Sequence, residues 1–578
     1  MPAGPIGRRM LRVEDRELLT GTAQFVDDVT PAGALHARFV RSPVAHARMA
    51  AVDLDAARAA PGVVAAFAAP DLGLPPLRAP IENPAAFSPP RPLLADRAVR
   101  FAGEAIAVVV ADSPYLAEDA AALVGAQFDE LPAVVDPERA AEAPPIHDHD
   151  SNLIYDFSVD AGEVDAAFAG AAVVIEKRFR NPRYSATPIE ARGAVAAPDR
   201  DGVRLWSSTQ VPHVLADVTA ELLGLPLESV RVSTTDVGGG FGQKAHAYPE
   251  EIVLAWLALR LGRPVKWVED RSENLLASSH ARDQVVSVRA AAADDGRLLA
   301  LDVDVLCDVG AYGVYPHGHL LESLGTPAMI PGPYALRNYR ARSRAVSTNK
   351  CPEGAYRGVG LPVSAFVHER VMDMLARELG IDPAEIRRRN FVAPDAMPYT
   401  SVTNQHYDSG DYGQALERAL EAIGYDGFAE EQARARREGR RLGLGLSSYV
   451  EYSGMGSATF HARGMVAIAG NDRAWLKLGA DGAVTVWTSL PSIGQGVATT
   501  FAQMTAAALG TSVERVTVAR SDTEAGPGGG TGVFASRSAV VGGGAIEIAA
   551  HELRQRLLAD AADRLEVSAA DLELTDGR

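Results

Sequence analysis

The chain has 578 residues, enough for three or four domains of about 150 residues each, and its 47% apolar content is that of a globular protein with a sizeable core. No stretch approaches the ~18 consecutive apolar residues that argue for a membrane span, and 74 acidic against 56 basic residues leave a net charge of -18, which repels phosphate backbones and excludes a nucleic-acid-binding role. The two cysteines, Cys307 and Cys351, lack C-x-x-C neighbours, so this chain holds no iron–sulfur cluster or cysteine zinc site by itself.

Arg8 and Arg9 are followed by no apolar h-region, so neither a secretory nor a twin-arginine signal is expected. With so few cysteines, the expected setting is the reducing cytoplasm. Residues 35–135 read as a small α/β module. LHARFVRS and EAIAVVVA (Glu104 to Ala111) are strands, Ser113-Pro114 opens a helix, and LPAVV after it is a further strand. The segment PPLRAPIENPAAFSPPRPLL carries too much proline for a helix or an inner strand and reads as a surface loop. ERAAEAPPIHDHDSN, near 138–152, reads as a linker.

The block from about 151 to 395 is rich in strands and helices. VRLW, SVRVSTT, PVKWV, DQVVSVRA and LALDVDVLC read as strands. VPHVLADVTAELLG, PEEIVLAWLALRLG and VSAFVHERVMDMLARELG have helical periodicity, and DPAEIRRRN is a short helix with aspartate at its cap. From 400 onward come a helix at about 411–424, a charged helix EEQARARREGRR, a strand LGLGLSSYVEY, and a hairpin turning at Asp481-Gly482. A long helix runs from about Ser538 to Asp563, and LELTDGR reads as a strand followed by a turn.

Two of these stretches look like copies of one another. WSSTQVPHVLADVTAELLGLPLESVRVSTTDVGGGFG begins at Trp206 and WTSLPSIGQGVATTFAQMTAAALGTSVERVTVARSDTEAGPGGG at Trp487. Each runs tryptophan, polar turn, glutamine, helix, glycine stop, V-x-V strand, aspartate and glycines, with Gln210 and Gln495 at matching places. The separation is too wide for a solenoid. It implies two halves that each present a glycine loop and an amide to one shared ligand.

Several strings could carry chemistry. GGGFGQK, Gly238 to Lys244, follows a strand; its glycines permit positive φ and let backbone N–H groups approach an anion, with Lys244 in support. It fits neither the P-loop nor the G-x-G-x-x-G spacing and, taken alone, could equally be a glycine-rich turn. In AYRGVG, Ala355 to Gly360, an arginine between small residues suits a fixed fork aimed at an oxyanion or the polar edge of a cofactor, or a structural cap. Gly494-Gln495-Gly496 opens a helix, a phosphate or carbonyl site or a simple cap. DTEAGPGGGTGVFASRS, Asp522 to Ser538, adds glycine N–H groups, hydroxyls and Arg537. His147 to Asp150 and His317-Gly318-His319 read as surface groups rather than metal ligands, Glu250 and Glu251 as acids favouring a helix N-terminus, and Cys351 as a small loop residue. No serine nucleophile elbow and no H-E-x-x-H occur.

In this order, RVEDRELLTGTAQFVDD, HARFVRSPVAHAR, PIEARGAVA, WSSTQ, GGGFGQK, AYRGVGLP, MLARELGIDPAEIRRRN and GQG resemble the molybdenum-binding large subunit of the xanthine dehydrogenase, aldehyde oxidase and carbon monoxide dehydrogenase family, over nearly the whole chain. The resemblance implies an α/β (α+β) fold. A small N-terminal hammerhead domain (1–145) would precede two larger molybdopterin-binding domains (151–395 and 400–578) related by the internal repeat. It implies Mo-molybdopterin, in the cytosine dinucleotide form common in bacterial members, clasped between those two domains. Gln210 would stand near the molybdenum's apical ligand. Gly239, Gly240, Phe241 and Gly242 would form the loop beneath the metal, Tyr356, Arg357 and Gly358 the segment beside it, and Gln495 with Gly496 the grip on the dinucleotide. Ala535 and Ser536 would belong to the later cofactor loop.

The departures narrow the implied substrate. Ala245 stands where xanthine-oxidising members have glutamate and Val359 where they have phenylalanine, which argues against purines. Gly358 stands where carbon monoxide dehydrogenases have their copper-binding cysteine. An aldehyde or a nitrogen heterocycle, hydroxylated with water-derived oxygen, is the expected small-molecule substrate. Electrons would pass to a small subunit with [2Fe-2S] clusters and a medium subunit with FAD, in a heterotrimer. The family's general-base glutamate would fall beyond Arg578, so no catalytic residue is nominated in this chain. The last domain is expected to be incomplete, its remainder carried on a separate chain or absent. The competing expectation is a cofactor-binding subunit without catalysis of its own.

Overall fold

The computed structural model describes residues 4–574. A seven-stranded sheet runs Val230–Thr234, Gly202–Ser207, Gly193–Asp199, Val265–Val268, Leu35–Arg41, Ala105–Ala111, Val63–Ala68. Its last three strands come from the N-terminal module and its first four from the chain beyond residue 151. The joint is the parallel pair Leu35↔Val265 and His36↔Lys266. Ala105–Ala111 is buried along its full length, as the unbroken apolar run AIAVVVA requires of a strand covered on both faces. The helix Pro114–Ala121 follows, and Ser113 Oγ accepts from Leu116 N at 3.2 Å at its cap. A small sheet of Ala98–Val99, Ala47–Asp53 and Gly125–Glu130 completes this module.

Three expectations are corrected here. The strand after the helix is Gly125–Glu130, not LPAVV, whose Val134 instead accepts from Asn349 N at 2.7 Å and donates its N–H to the Asn349 side-chain Oδ1 at 2.8 Å. The proline-rich stretch is irregular but is no surface loop: Leu77, Arg91, Leu93 and Leu94 are buried, and Ile81 bridges to Met465 of the C-terminal lobe. The 138–152 segment is more than a linker, because it contains part of the helix Pro137–Ala140 and buries Ile146 and Asn152.

A five-stranded sheet follows in the order Leu153–Ala161, Asn338–Ser347, Leu298–Gly310, His280–Ala292, Val173–Ser185. The helix Leu361–Leu379 lays Val363, Val367, Val371 and Leu375, one residue per turn, into a core that includes Val286, Val288 and Val303. Gly380, at φ 67°, ends it. Asp382 then caps Pro383–Asn390 by accepting from Ala384 N at 2.8 Å.

The two copies of the repeat have the same build. Gly202–Ser207, helix Pro212–Leu223, a 3₁₀ turn at Leu227–Ser229 and parallel strand Val230–Thr234 correspond to Val484–Thr488, helix Val497–Leu509, a 3₁₀ turn at Val513–Arg515 and parallel strand Val516–Val518. Each helix ends on a left-handed glycine, Gly224 or Gly510. Each first strand also has an antiparallel neighbour, Gly193–Asp199 or Ala474–Leu478, the latter joined through the expected turn at Gly482, φ 79°. The outer edge of Val230–Thr234 is closed by the C-terminal lobe: Thr234 N donates to Ser521 O at 2.9 Å and Thr523 N to Val232 O at 3.0 Å.

The long helix Gly543–Leu565 is entered through a π-turn, Ser538–Gly542. LGLGLSSYVEY alternates in exposure but joins no ladder among the described residues. Its carbonyls are taken by side chains, Leu446 O by Arg387 and Ser448 O by His368. Leu572 to Leu574 form no strand, and Thr575 to Arg578 lie outside the described residues. Among the described residues no helix is long and apolar enough to cross a membrane.

Candidate functional site

Between the two copies of the repeat lies a crevice of about 1630 Å³. Its wall includes Gln210, Gly239, Phe241, Gly242, Tyr356, Arg357, Gly358, Gln495, Ala535 and Ser536. These residues, drawn from five separate stretches of sequence, are thus brought together. Gly240 and Gly496 are not on the wall. Gly240 lies behind it, where a Cβ would come within 2.3 Å of Gln210 Oε1. Gly496 is the left-handed N-cap (φ 76°) of Val497–Leu509 and orients the turn that carries Gln495.

Local conformation explains how these loops form a wall. Thr187, Phe241, Val359, Ala535 and Ser536 all have φ between 41° and 55° without being glycine, and all five face the crevice. Such residues are uncommon, cost of order 1–3 kcal/mol each, and concentrate at functional sites. The strain is held from behind. Arg282, buried beside Glu322, donates to the carbonyls of Tyr356 and Arg357, the latter at 2.7 Å. Arg357 N in turn donates to Phe241 O at 2.9 Å, so the AYRG and GGGFG loops brace each other.

Gln210 and Gln495 occupy equivalent places but do different work. Gln210 is buried; its Oε1 accepts from Gly242 N at 3.0 Å and its Nε2 donates to Val533 O at 2.6 Å, while Val533 N donates to Gln210 O at 3.0 Å. It staples the first glycine loop to the C-terminal lobe. Gln495 Oε1 accepts from Ile493 N at 2.7 Å and shapes its own turn. Lys244 does not point at the crevice: its Nζ lies 2.6 Å from Glu190, the glutamate of PIEARG, which also accepts from Gly238 N at 2.8 Å. Arg537 is fully buried against Asp472 at 2.6 Å and anchors the last loop from within.

The electrostatics offer an anion acceptor at the wall. Arg357 is exposed to the crevice and has no carboxylate partner among the described residues. The backbone N–H groups of Gly239, Phe241, Ala535 and Ser536 also take no partner among them.

Behind the glycine loop the charges are buried and matched. Arg41 of the N-terminal module meets Glu250 at 2.6 Å and Glu273 at 2.7 Å, and Arg192 meets Glu269 at 2.5 Å. Burial raises the carboxyl of Glu250, but Arg41 and Arg192 outweigh it and bring it to about 2. The neighbouring Glu251, with only a Ser207 hydroxyl and a backbone N–H on its oxygens, is pushed by burial up to about 7. These two acids are therefore buried network members, beyond the helix-end role read from sequence. Cys351 is buried and its thiol is raised by burial, in keeping with a loop residue of no special reactivity.

The wall also includes residues not expected to face the cofactor, among them Thr187, Glu190, His317 and Phe534. Glu190 lay inside a string already quoted. The reading of His317 and His319 as surface groups is corrected: both are buried, and burial holds each at about 4. His317 Nδ1 lies 3.2 Å from His246 Nδ1, and His246 Nε2 accepts from Ala355 N at 2.9 Å. His147 is half-buried against Ala311 O at 2.5 Å. Among the described residues no group of three or more His, Cys, Asp or Glu side chains could hold a metal ion.

Comparison with known proteins agrees with this geometry. A model described as "Aldehyde oxidase and xanthine dehydrogenase, a/b hammerhead domain" matches residues 20–132, and models of a molybdopterin cofactor-binding domain match residues 146–391 and 418–578. The chain is 38% identical to the nicotine 6-hydroxylase large subunit of Paenarthrobacter nicotinovorans, over 99% of this chain and 70% of that protein. It is 34% identical to the carbon monoxide dehydrogenase large chain of Hydrogenophaga pseudoflava, over 97% and 72%. The crystal structure of quinoline 2-oxidoreductase from Pseudomonas putida 86 superposes with a TM-score of 0.95 at 39% identity, covering 99% of this chain and 73% of that one. The chain belongs to the molybdopterin-dependent oxidoreductases of the xanthine dehydrogenase, aldehyde oxidase and carbon monoxide dehydrogenase family, as a molybdenum-binding large subunit with a hammerhead module and two cofactor-binding domains.

Proposed function

We propose that this protein is the large subunit of a molybdenum hydroxylase that oxidises an aldehyde or a nitrogen heterocycle with oxygen taken from water, and that the crevice holds molybdopterin in its cytosine dinucleotide form. The observation that carries this reading is the convergence of the repeat's two glycine loops, AYRG and the Ala535-Ser536 turn on one cavity. The residues fit the group. Unpaired N–H donors and the Arg357 guanidinium suit a polar, anionic cofactor. When bound, molybdopterin supplies the centre at which the substrate carbon is hydroxylated and two electrons are taken up.

The chain's own residues would position it. Gln210, Gly239, Phe241 and Gly242 form one wall, with Gly240 behind them giving Gln210 its room. Tyr356, Arg357 and Gly358 form the facing segment. Gln495, on the turn capped by Gly496, and Ala535 with Ser536 complete the lining. Gly358, at φ 98°, has no space for a cysteine side chain, because a Cβ there would come within 2.6 Å of the Pro362 ring. Ala245 is fully buried in the core away from the wall, so it offers no acidic contact for a purine. Both features favour an aldehyde or heterocycle over carbon monoxide or xanthine.

The proposal divides the chain at 1–145, 151–395 and 400–578. It places the electrons' exit on two further subunits, one with [2Fe-2S] clusters and one with FAD, because Cys307 and Cys351 are both buried and cannot ligate a cluster. Those two unpaired thiols also support a cytoplasmic setting. The test is to purify the assembled complex and measure molybdenum, pterin and dye reduction with aldehydes and N-heterocycles. Molybdenum with substrate-dependent dye reduction is expected. A metal-free complex with intact activity would overturn the reading, and pterin without turnover of any substrate would favour a cofactor-binding subunit that lacks catalysis.

A further inference from the structure

At the inner end of the crevice the wall becomes apolar and aromatic. Leu321, Phe460 and Met465 are buried there, and Phe534 packs edge-on to Phe460 with ring centroids 5.9 Å apart. A histidine interrupts this lining. His317 is 2% exposed, borders the crevice, and stands edge-on to Phe534 at 4.9 Å. Its Nε2 has no partner among the described residues.

The protonation pattern of this ring follows from its neighbours. A backbone N–H can only donate, so His246 Nε2, which meets Ala355 N at 2.9 Å, is an acceptor. The neutral His246 ring therefore carries its proton on Nδ1 and directs it at His317 Nδ1, 3.2 Å away. His317 Nδ1 accepts that proton's hydrogen bond, so its own proton sits on Nε2. The approach of His246 depends on Gly354, where a Cβ would come within 2.7 Å of His246 Nε2. Ala355 lies in the AYRG loop and His246 follows the GGGFGQK loop closely, so the two cofactor loops set the tautomer of a residue at the inner end of the crevice.

Building on the hydroxylase reading, we propose that His317 is a specificity-determining residue. Its outward Nε2–H donates to an in-plane acceptor atom of the substrate, while Phe534, Phe460 and Met465 enclose the flat apolar remainder. The site thereby selects aromatic molecules that carry an acceptor over isosteres that do not. A buried donor left without a partner is unfavourable, so an all-carbon ligand pays a penalty that an acceptor-bearing one escapes.

The test compares quinoline with its all-carbon isostere naphthalene, by fluorescence-monitored binding to the assembled enzyme. One neutral hydrogen bond predicts that quinoline binds about five- to tenfold more tightly than naphthalene. In His317→Phe the two affinities should become equal through a loss for quinoline alone. His317→Gln, whose amide nitrogen reaches the place of Nε2, should restore the preference. His246→Phe, which frees the His317 tautomer without lining the crevice, should narrow it. An unchanged preference in His317→Phe, an equal loss for both ligands, or no binding of either would overturn the proposal. Molybdenum content and dye reduction are read on the same preparations. A loaded, active complex without a His317-dependent preference sinks this inference alone, whereas a complex without molybdenum sinks the hydroxylase reading as well.

Discussion

Glu251 shows how a single buried side chain makes stability depend on pH. Its folded-state pKa, about 7, lies above the 4.5 of a free glutamate because burial disfavours the charged form. The folded protein therefore keeps a proton that the unfolded chain releases. Its contribution is complete below about pH 4.5 and is lost as pH rises through 7, a fall of about 3 kcal/mol. Glu251→Gln should remove that slope: nearly neutral at pH 5, it should raise the urea midpoint at pH 8. A variant with the same pH profile as the parent would show that Glu251 does not hold the proton. This behaviour was not legible in the sequence, where two acids in the first turn of a helix look like ordinary dipole partners. The sequence is silent on Arg41 reaching Glu250 and not Glu251. His317 was misjudged for a similar reason, since an H-G-H string looks polar and exposed until the loop carrying it is known to be buried.

At the scale of elements, the repeat was legible because its signals are local: helical periodicity, the glycine stops at Gly224 and Gly510, and the V-x-V strands after them. The misplaced strand failed for the opposite reason. GAQFDE is polar and half exposed yet pairs with Ala47–Asp53, while the more apolar LPAVV docks on another part of the chain. LGLGLSSYVEY has the alternation of a strand, but alternation reports the conformation of the chain and not the presence of a neighbour. The π-turn Ser538–Gly542 left no clear trace in the sequence, although Ser538, Ala539 and Val540 border the crevice. Wide turns of this kind recur at functional sites and hold one residue more than an α-turn. Deleting Val540 should let the turn relax to a regular helix and swing the crevice wall. We expect far-UV dichroism to stay unchanged while the molybdenum content of the purified complex falls several-fold. A variant that stays fully loaded would show that the turn does not shape the site.

For the whole molecule, the seven-stranded sheet ties the hammerhead module to the first cofactor-binding domain by main-chain pairing, and Arg41 crosses the same joint to two buried carboxylates. Removing a cation from such a cluster strands its partners, so Arg41→Met should cost about 3 kcal/mol. The loss should appear equally in both parts. Hydrogen exchange followed by mass spectrometry should show Leu35–Arg41 and Val265–Val268 opening at one free energy, lowered together in the variant. A drop confined to Leu35–Arg41 would show that the module unfolds on its own. A second fastening lies at the back of the crevice, where Gln210 and the Ser521–Thr523 segment join the lobes. Lobes sewn together there cannot separate along that edge. A large prosthetic group must therefore slide in through the open front of a slot already shaped for it, and the empty protein should keep that shape while it waits to be filled.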